Sequence, residues 1–199
     1  MSEWWRYTIS DFLMYSARTF YRLVEQYNTA LWPAHIAAVL LGLGVVWLIV
    51  RAPAGQGRAV AGILAVLWTW VAVAWLWQRL ASINWAATWF AAGFGAEAAL
   101  LVWVGVVRKD LTFKARSGFA AMAGVVLLLL AVCAYPLLAV LGGRGSGQSE
   151  VFGMMPDPTA LGTIGVLLLA ERRGWLLVIP VAWCVISGAM LWALGAQQG

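Results

Sequence analysis

The chain has 199 residues, of which 63% are hydrophobic and 11% charged, and its net charge is +5. A soluble domain carries roughly 25% charge, and no soluble core hides this much apolar surface, so the surrounding medium is expected to be lipid. The basic residues fall in short loops between apolar runs. That is a topology signal, and it excludes a nucleic-acid partner.

Residues 1–32 read as a tail. The start, MSEWWRYTISDF, has an acid at Glu3 and no apolar run behind a basic cluster, so the tail is expected to stay on the mature chain. From Ser10 to Leu31, apolar or small residues recur at Leu13, Ala17, Phe20, Tyr27 and Leu31, which is helical spacing. Ser10 is the expected N-cap, with Asp11 in the first turn. Arg18, Arg22, Glu25 and Asn28 occupy much of the other face. Such an amphipathic helix lies flat at the membrane interface, or folds over the mouth of a bundle as a lid.

Residues 33–199 read as a bundle of six transmembrane helices, which makes the fold all-α. Crossing the hydrocarbon takes about 20 residues. Pro33–Val50, Ala59–Trp77, Ala86–Val107, Gly118–Leu141 and Trp175–Gly195 meet that length or come close to it. The odd loops carry Arg51, Arg58, Arg108, Lys109, Lys114, Arg116, Arg172 and Arg173. The other side has Arg79, Arg144 and the tail's Arg6, Arg18 and Arg22. The positive-inside rule then puts both termini outside, which is the periplasmic face if the membrane is a bacterial inner membrane. Trp32, Trp77, Trp85, Trp89 and Trp175 stand at helix ends, where indoles favour the headgroup level. Trp68, Trp70 and Trp103 sit deeper and read as packing or lipid-facing residues.

The remaining apolar run, Thr159–Ala170, has 12 residues. At about 1.5 Å per residue it cannot cross alone. The preceding VFGMMPDP is apolar enough to enter the membrane, but its Pro and Gly residues oppose regular helix, so 151–158 is expected to be unwound and 159–170 helical. Irregular backbone at membrane depth is tolerated where it is buried in protein or lines a wet cavity, and a broken span points to a binding site. Asp157 is the expected N-cap of this helix and Pro158 its first residue. Asp157 also has the position to line a cavity mouth.

Two stretches carry a family resemblance: YNTALWPAH (Tyr27 to His35), and VFGMMPDPTALGTIGVLLLA (Val151 to Ala170) followed by LLVIPVAWCVISG (Leu176 to Gly188). Together they resemble an uncharacterised bacterial multi-pass membrane family, domain of unknown function 6064. The resemblance implies a multi-pass topology and no settled activity. In that family a cysteine often stands between the two prolines. Here the position is Asp157, so thiol or soft-metal chemistry is not carried over.

Polar groups within the spans are few. Glu97 is mid-helix in the third span, about 16 Å from its start. A charge at that depth costs roughly 2.5–3.5 kcal/mol on insertion scales and is a functional-site candidate by default. Without a partner it is expected to hold its proton. Ala91, Gly95 and Ala99 form a small-residue row expected to pack against another helix, with Glu97 beside it. Tyr135, about 9 Å deep, is placed to meet Glu97 through one water. His35, Asn28 and Asp157 complete the candidate set near the outer surface. A lone histidine builds no multi-histidine zinc site and no bis-histidine haem site. Met154-Met155 lacks the arrayed partners of a copper site. Cys133 and Cys184 read as buried free thiols. No metal or other cofactor is expected. With no phosphate loop, dinucleotide fingerprint or nucleophile set, the chain does not read as an enzyme.

Two functions remain open: a small channel or transporter for an ion or small solute, with Glu97 as its protonatable group, and a non-catalytic accessory or scaffold subunit. The expected partners are the lipid bilayer and a second copy or another subunit of a membrane complex.

Overall fold

The computed structural model describes residues 15–113, 118–171 and 174–196. These are almost wholly helical, without a β-strand among them. Eight α-helices follow in chain order: α1 (Ala17–Ala30), α2 (Ala34–Arg51), α3 (Gln56–Trp70), α4 (Ala87–Leu101), α5 (Phe119–Leu129), α6 (Tyr135–Leu141), α7 (Pro156–Leu169) and α8 (Val178–Ala196). Three π-helical stretches extend them without a break. Val71–Trp77 continues α3, Val102–Val107 continues α4, and Leu130–Ala134 joins α5 to α6. Five helical runs are long and apolar enough to cross a membrane, and Pro156–Leu169 is a shorter apolar helix.

Burial is the inverse of a soluble protein's at the periphery. Leu40, Val50, Phe119, Leu141 and Val185 stand exposed on the outer helices. A surface this apolar suits hydrocarbon and not water. The tryptophans at the helix ends, Trp32, Trp77, Trp85, Trp89 and Trp175, are all 64–82% exposed, the positions from which an indole can reach a headgroup layer. Trp68, by contrast, is fully buried.

Two helices form the core. In α3 the face made by Val60, Ala61, Leu64, Ala65, Leu67 and Trp68 is buried, and α7 is buried along nearly its whole length. Because α7 is wrapped by protein, it does not have to cover the full membrane thickness itself. It packs most extensively on α5. A Cβ on Gly165 would stand 2.7 Å from the Leu128 amide nitrogen, and one on Gly124 would stand 2.8 Å from the Gly165 carbonyl oxygen. Only glycine allows the two backbones to come this close. Inside α7, Thr159 and Thr163 turn their hydroxyls back onto the carbonyls of Met155 (2.6 Å) and Thr159 (2.8 Å), which keeps these polar groups satisfied in an apolar setting.

Several sequence expectations are corrected. The broken segment is shorter than 151–158, because α7 begins at Pro156 and not at Thr159. Both prolines fit in its first turn, where the amide hydrogens they lack have no intrahelical acceptor. Met155 is the extended N-cap residue, so Asp157 lies inside the first turn and does not cap the helix. α1 starts at Ala17, with the Ser16 hydroxyl accepting from the Thr19 amide, and Tyr15 is not helical. The proposed start at Ser10 and Asp11 lies outside the described residues. In α4, Gly95 and Ala99 are exposed and touch no other helix. The buried face is instead Ala87, Phe94, Glu97, Ala98 and Leu101. Of the small row only Ala91 is partly buried against the core, and the ring of Phe94 packs on Trp68 at 4.2 Å.

Candidate functional site

The segment from Gly142 to Met155 connects α6 to α7 and returns the chain into the bundle. Hydrogen bonds from the α1–α2 junction hold it in place. Asn28 donates from Nδ2 to the carbonyls of Gly147 and Ser149, each at 2.8 Å, and its Oδ1 pairs with His35 Nε2 at 3.0 Å. The Tyr27 hydroxyl donates to the Met154 carbonyl (3.1 Å) and accepts from Trp70 Nε1 (3.1 Å). Burial pushes the Tyr27 phenol up to about 12, so it remains a donor at neutral pH. Within the segment, Gly153 takes a φ of +80° and gives its amide to Thr159 Oγ1 at 2.8 Å. Phe152 is fully buried against α2 and α7, near Gly42 and Gly162. Asn28 and His35 are therefore a clasp and not cavity residues. The Tyr27–Met154 bond joins the two stretches whose sequences carried the resemblance.

The clasp delivers two carboxylates to one place. Asp157, in the first turn of α7, accepts from Trp183 Nε1 and from Ser187 Oγ, each at 2.7 Å, and the Tyr135 hydroxyl lies close beside it. Trp183 and Ser187 are four residues apart on α8, so one helix face supplies both donors. The Trp183 ring is held edge-on by Phe90 (5.3 Å) and Phe94 (5.1 Å) of α4. Glu150 is buried near Asp157, with Arg144 Nη1 at 3.9 Å from its Oε1. The Arg144 guanidinium also lies 4.3 Å over the Tyr21 ring of α1. Burial first, and the charge of Asp157 second, hold the Glu150 carboxyl well above the usual carboxylate range, against the pull of Arg144.

Charge counting at this site is simple. Two ionised carboxylates and one guanidinium leave one uncompensated negative charge in a buried place. That is costly, so the pair favours one added positive charge, a proton above all. Pairs of carboxylates share protons for this reason.

Glu97 stands apart. It is fully buried on α4, and neither carboxylate oxygen has a hydrogen-bond partner. No side chain bonds Glu97 directly to Tyr135. Tyr135 turns to Asp157 and stands in the field of Glu150 and Arg144. Phe94, one turn from Glu97, is the α4 residue that meets Trp183 and Trp68. Of the five sequence candidates, the structure thus brings together Tyr135 with Asp157, and Asn28 with His35.

Glu150, Trp183 and Ser187 were not singled out from the sequence. Trp183 and Ser187 carried a usable signal, two hydrogen-bond donors at i and i+4 inside an otherwise apolar helix. Glu150 carried little beyond being an acid next to the broken span. Cys184, neighbour to Trp183, is half-buried, and Cys133 is exposed on the bundle surface; both are free. Among the described residues no group of three or more His, Cys, Asp or Glu side chains is placed to hold a metal ion.

Comparison with protein families gives one result of wide coverage. The family described as "Family of unknown function (DUF6064)" matches residues 17–199, and the chain belongs to it. No curated protein and no solved structure matches the chain.

Proposed function

We propose that this member of the family is a six-span inner-membrane protein that moves protons, alone or coupled to a small solute, and that Asp157 and Glu150 form its proton-loading site. The observation that carries this is the burial of two neighbouring carboxylates with a single guanidinium, that of Arg144, beside Glu150. The topology inferred from loop charge puts that site toward the periplasm. There α1 lies along the interface and α7 acts as a sixth, shortened span whose missing depth is supplied by 149–155. Glu97 is the second protonatable group. It lies about halfway along α4, beyond the ring contact of Phe94 with Trp68 and Trp183, so those rings separate an outer acidic site from an inner one. A path between the two requires the aromatic contact to open, which fits a gated carrier better than a standing pore.

The test is proton flux in proteoliposomes under an imposed pH gradient. Asp157→Asn and Glu97→Gln are each expected to lower it by roughly a hundredfold, with the protein still folded. Wild-type flux no greater than that of empty vesicles, or flux indifferent to both substitutions, would overturn the proposal. The other function class, an accessory subunit of a membrane complex, draws on the exposed small-residue row of α4. Gly95 and Ala99 are exposed and offer a close helix contact that is free among the described residues. A stoichiometric partner from native membranes, together with absent flux, would favour it.

A further inference from the structure

The acidic pair lines a small cavity bounded by α1, the end of the α3 run, α7 and α8. Its volume is about 30 Å³, enough for a water molecule and too little for an organic solute. Its lining includes the aromatic rings of Tyr15, Phe20, Trp75 and Trp183 together with Glu150 and Asp157.

Two of the wall groups have hydrogen-bonding capacity that the protein does not use. Trp75 is fully buried, and its indole Nε1 has no acceptor. Its ring is packed against the rings of Phe20 (5.9 Å) and Tyr27 (5.1 Å), both at steep angles. The Tyr15 hydroxyl is buried as well, and Asn84 stands beside it outside hydrogen-bond geometry. Buried donors normally find a partner, and a tryptophan N–H can only donate.

These groups discriminate between occupants. A bare monovalent cation would satisfy the carboxylates but would meet the positive end of the Trp75 N–H dipole. Ammonium has the same defect, since it has no lone pair to offer. An anion would suit Trp75 and be repelled by two acids. Water meets both demands, with a lone pair for the indole N–H and its own O–H for a carboxylate oxygen.

We propose that this cavity is a built site for one water molecule that joins Trp75 Nε1 and Tyr15 Oη to the carboxylates of Asp157 and Glu150 and hands them their proton. The siting of the water is independent of any transport role; the proton transfer rests on the proposed function. In that step a hydronium ion of the outer solution gives a proton to the bound water. An O–H bond of that water breaks as a new O–H bond forms on the carboxylate oxygen. The water is restored, and the site gains one positive charge.

A density map of the full chain in nanodiscs, at a resolution that shows ordered water, tests the siting. The expected result is a peak within hydrogen-bond distance of Trp75 Nε1 and of one carboxylate oxygen. Trp75→Phe keeps an aromatic ring in place and is expected to lose the peak and about tenfold in proton flux, the scale of one hydrogen bond. A cavity without density in the wild type overturns the proposal, whatever the variant does. So does a peak held by carboxylates alone whose strength follows added sodium, potassium or ammonium. Water present with flux indifferent to Asp157→Asn sustains the site and removes the proton role. Flux sensitive to Asp157→Asn with no water present does the reverse.

Discussion

Asn28→Ala is the sharpest perturbation of the scaffold around the site. The side chain makes three hydrogen bonds: two to the carbonyls of Gly147 and Ser149, at 2.8 Å each, and one to His35 at 3.0 Å. Each neutral bond contributes about 0.5–1.5 kcal/mol net, and half-buried partners left unpaired add to the loss. The total is about 2–4 kcal/mol, and it falls on one segment, because the helix contacts of α3 and α7 do not involve Asn28. Hydrogen exchange localises it. The Met154 and Met155 amides both bond to the Val151 carbonyl at 3.0 Å, and their protection reports opening of this segment. A loss of about 2–4 kcal/mol corresponds to exchange faster by roughly thirty- to eight-hundredfold. Amides in the middle of α3 should not change. If Met154 and Met155 exchange within a factor of about three of wild type, the clasp does not hold the segment and the account of how Glu150 is placed is wrong.

Other predictions concern the site and its frame. Trp183→Phe keeps a ring against Phe90 and Phe94 but removes the N–H donated to Asp157. It should cost about 1.5–3 kcal/mol in the wild type and much less in an Asp157→Asn background, as read by unfolding in detergent; equal costs in both would deny the bond. Gly165→Ala puts a Cβ against the Leu128 backbone, which cannot step aside as a side chain can. A loss of at least about 1–3 kcal/mol is expected, and an unchanged melting temperature would mean that α5 and α7 lie farther apart. Glu150 gives a pH dependence. Its folded-state carboxyl titrates above its unfolded value of about 4.3. The folded protein therefore keeps a proton that the unfolded chain releases. That contribution is complete at low pH and is lost as pH rises through the raised value. Melting temperature should fall across this window, with a shallower slope in Glu150→Gln; identical slopes would show that Glu150 is not the titrating group.

The sequence made the membrane-length helices legible because long apolar runs depend on composition alone. The tryptophans at their ends followed from the same pattern. The weak points were those that depend on helix rotation and on loop path. Glu97 and Asp157 both looked like functional carboxylates, but which of them meets Tyr135 depends on which faces of α4, α6 and α7 turn inward. No apolar moment marks those faces in helices surrounded by lipid. The small row in α4 misled for the same reason, since Gly95 and Ala99 are exposed. Asp157 resembled an N-cap because Asp before Pro is a common helix start. The preceding Pro156 takes the first helical position instead, which puts Asp157 within the first turn, where it meets the α8 donors. Glu150 was hidden because a loop has no period to read. Asn28 and His35 were visible as parts of a motif, but their role as a clasp required knowing that 147–149 returns to α1.

The central claim is that Asp157 and Glu150 share one exchangeable proton. Infrared spectroscopy of the carboxylic-acid C=O stretch at neutral pH tests it most directly, in a Glu97→Gln background so that the mid-span carboxyl does not contribute. The account predicts one protonated carboxyl in that protein. Adding Asp157→Asn should move its ionisation to lower pH, because the neighbouring negative charge is gone while the burial of Glu150 and the Arg144 guanidinium beside it remain. A signal whose pH dependence is unchanged by Asp157→Asn, or one absent from the start, would contradict the claim.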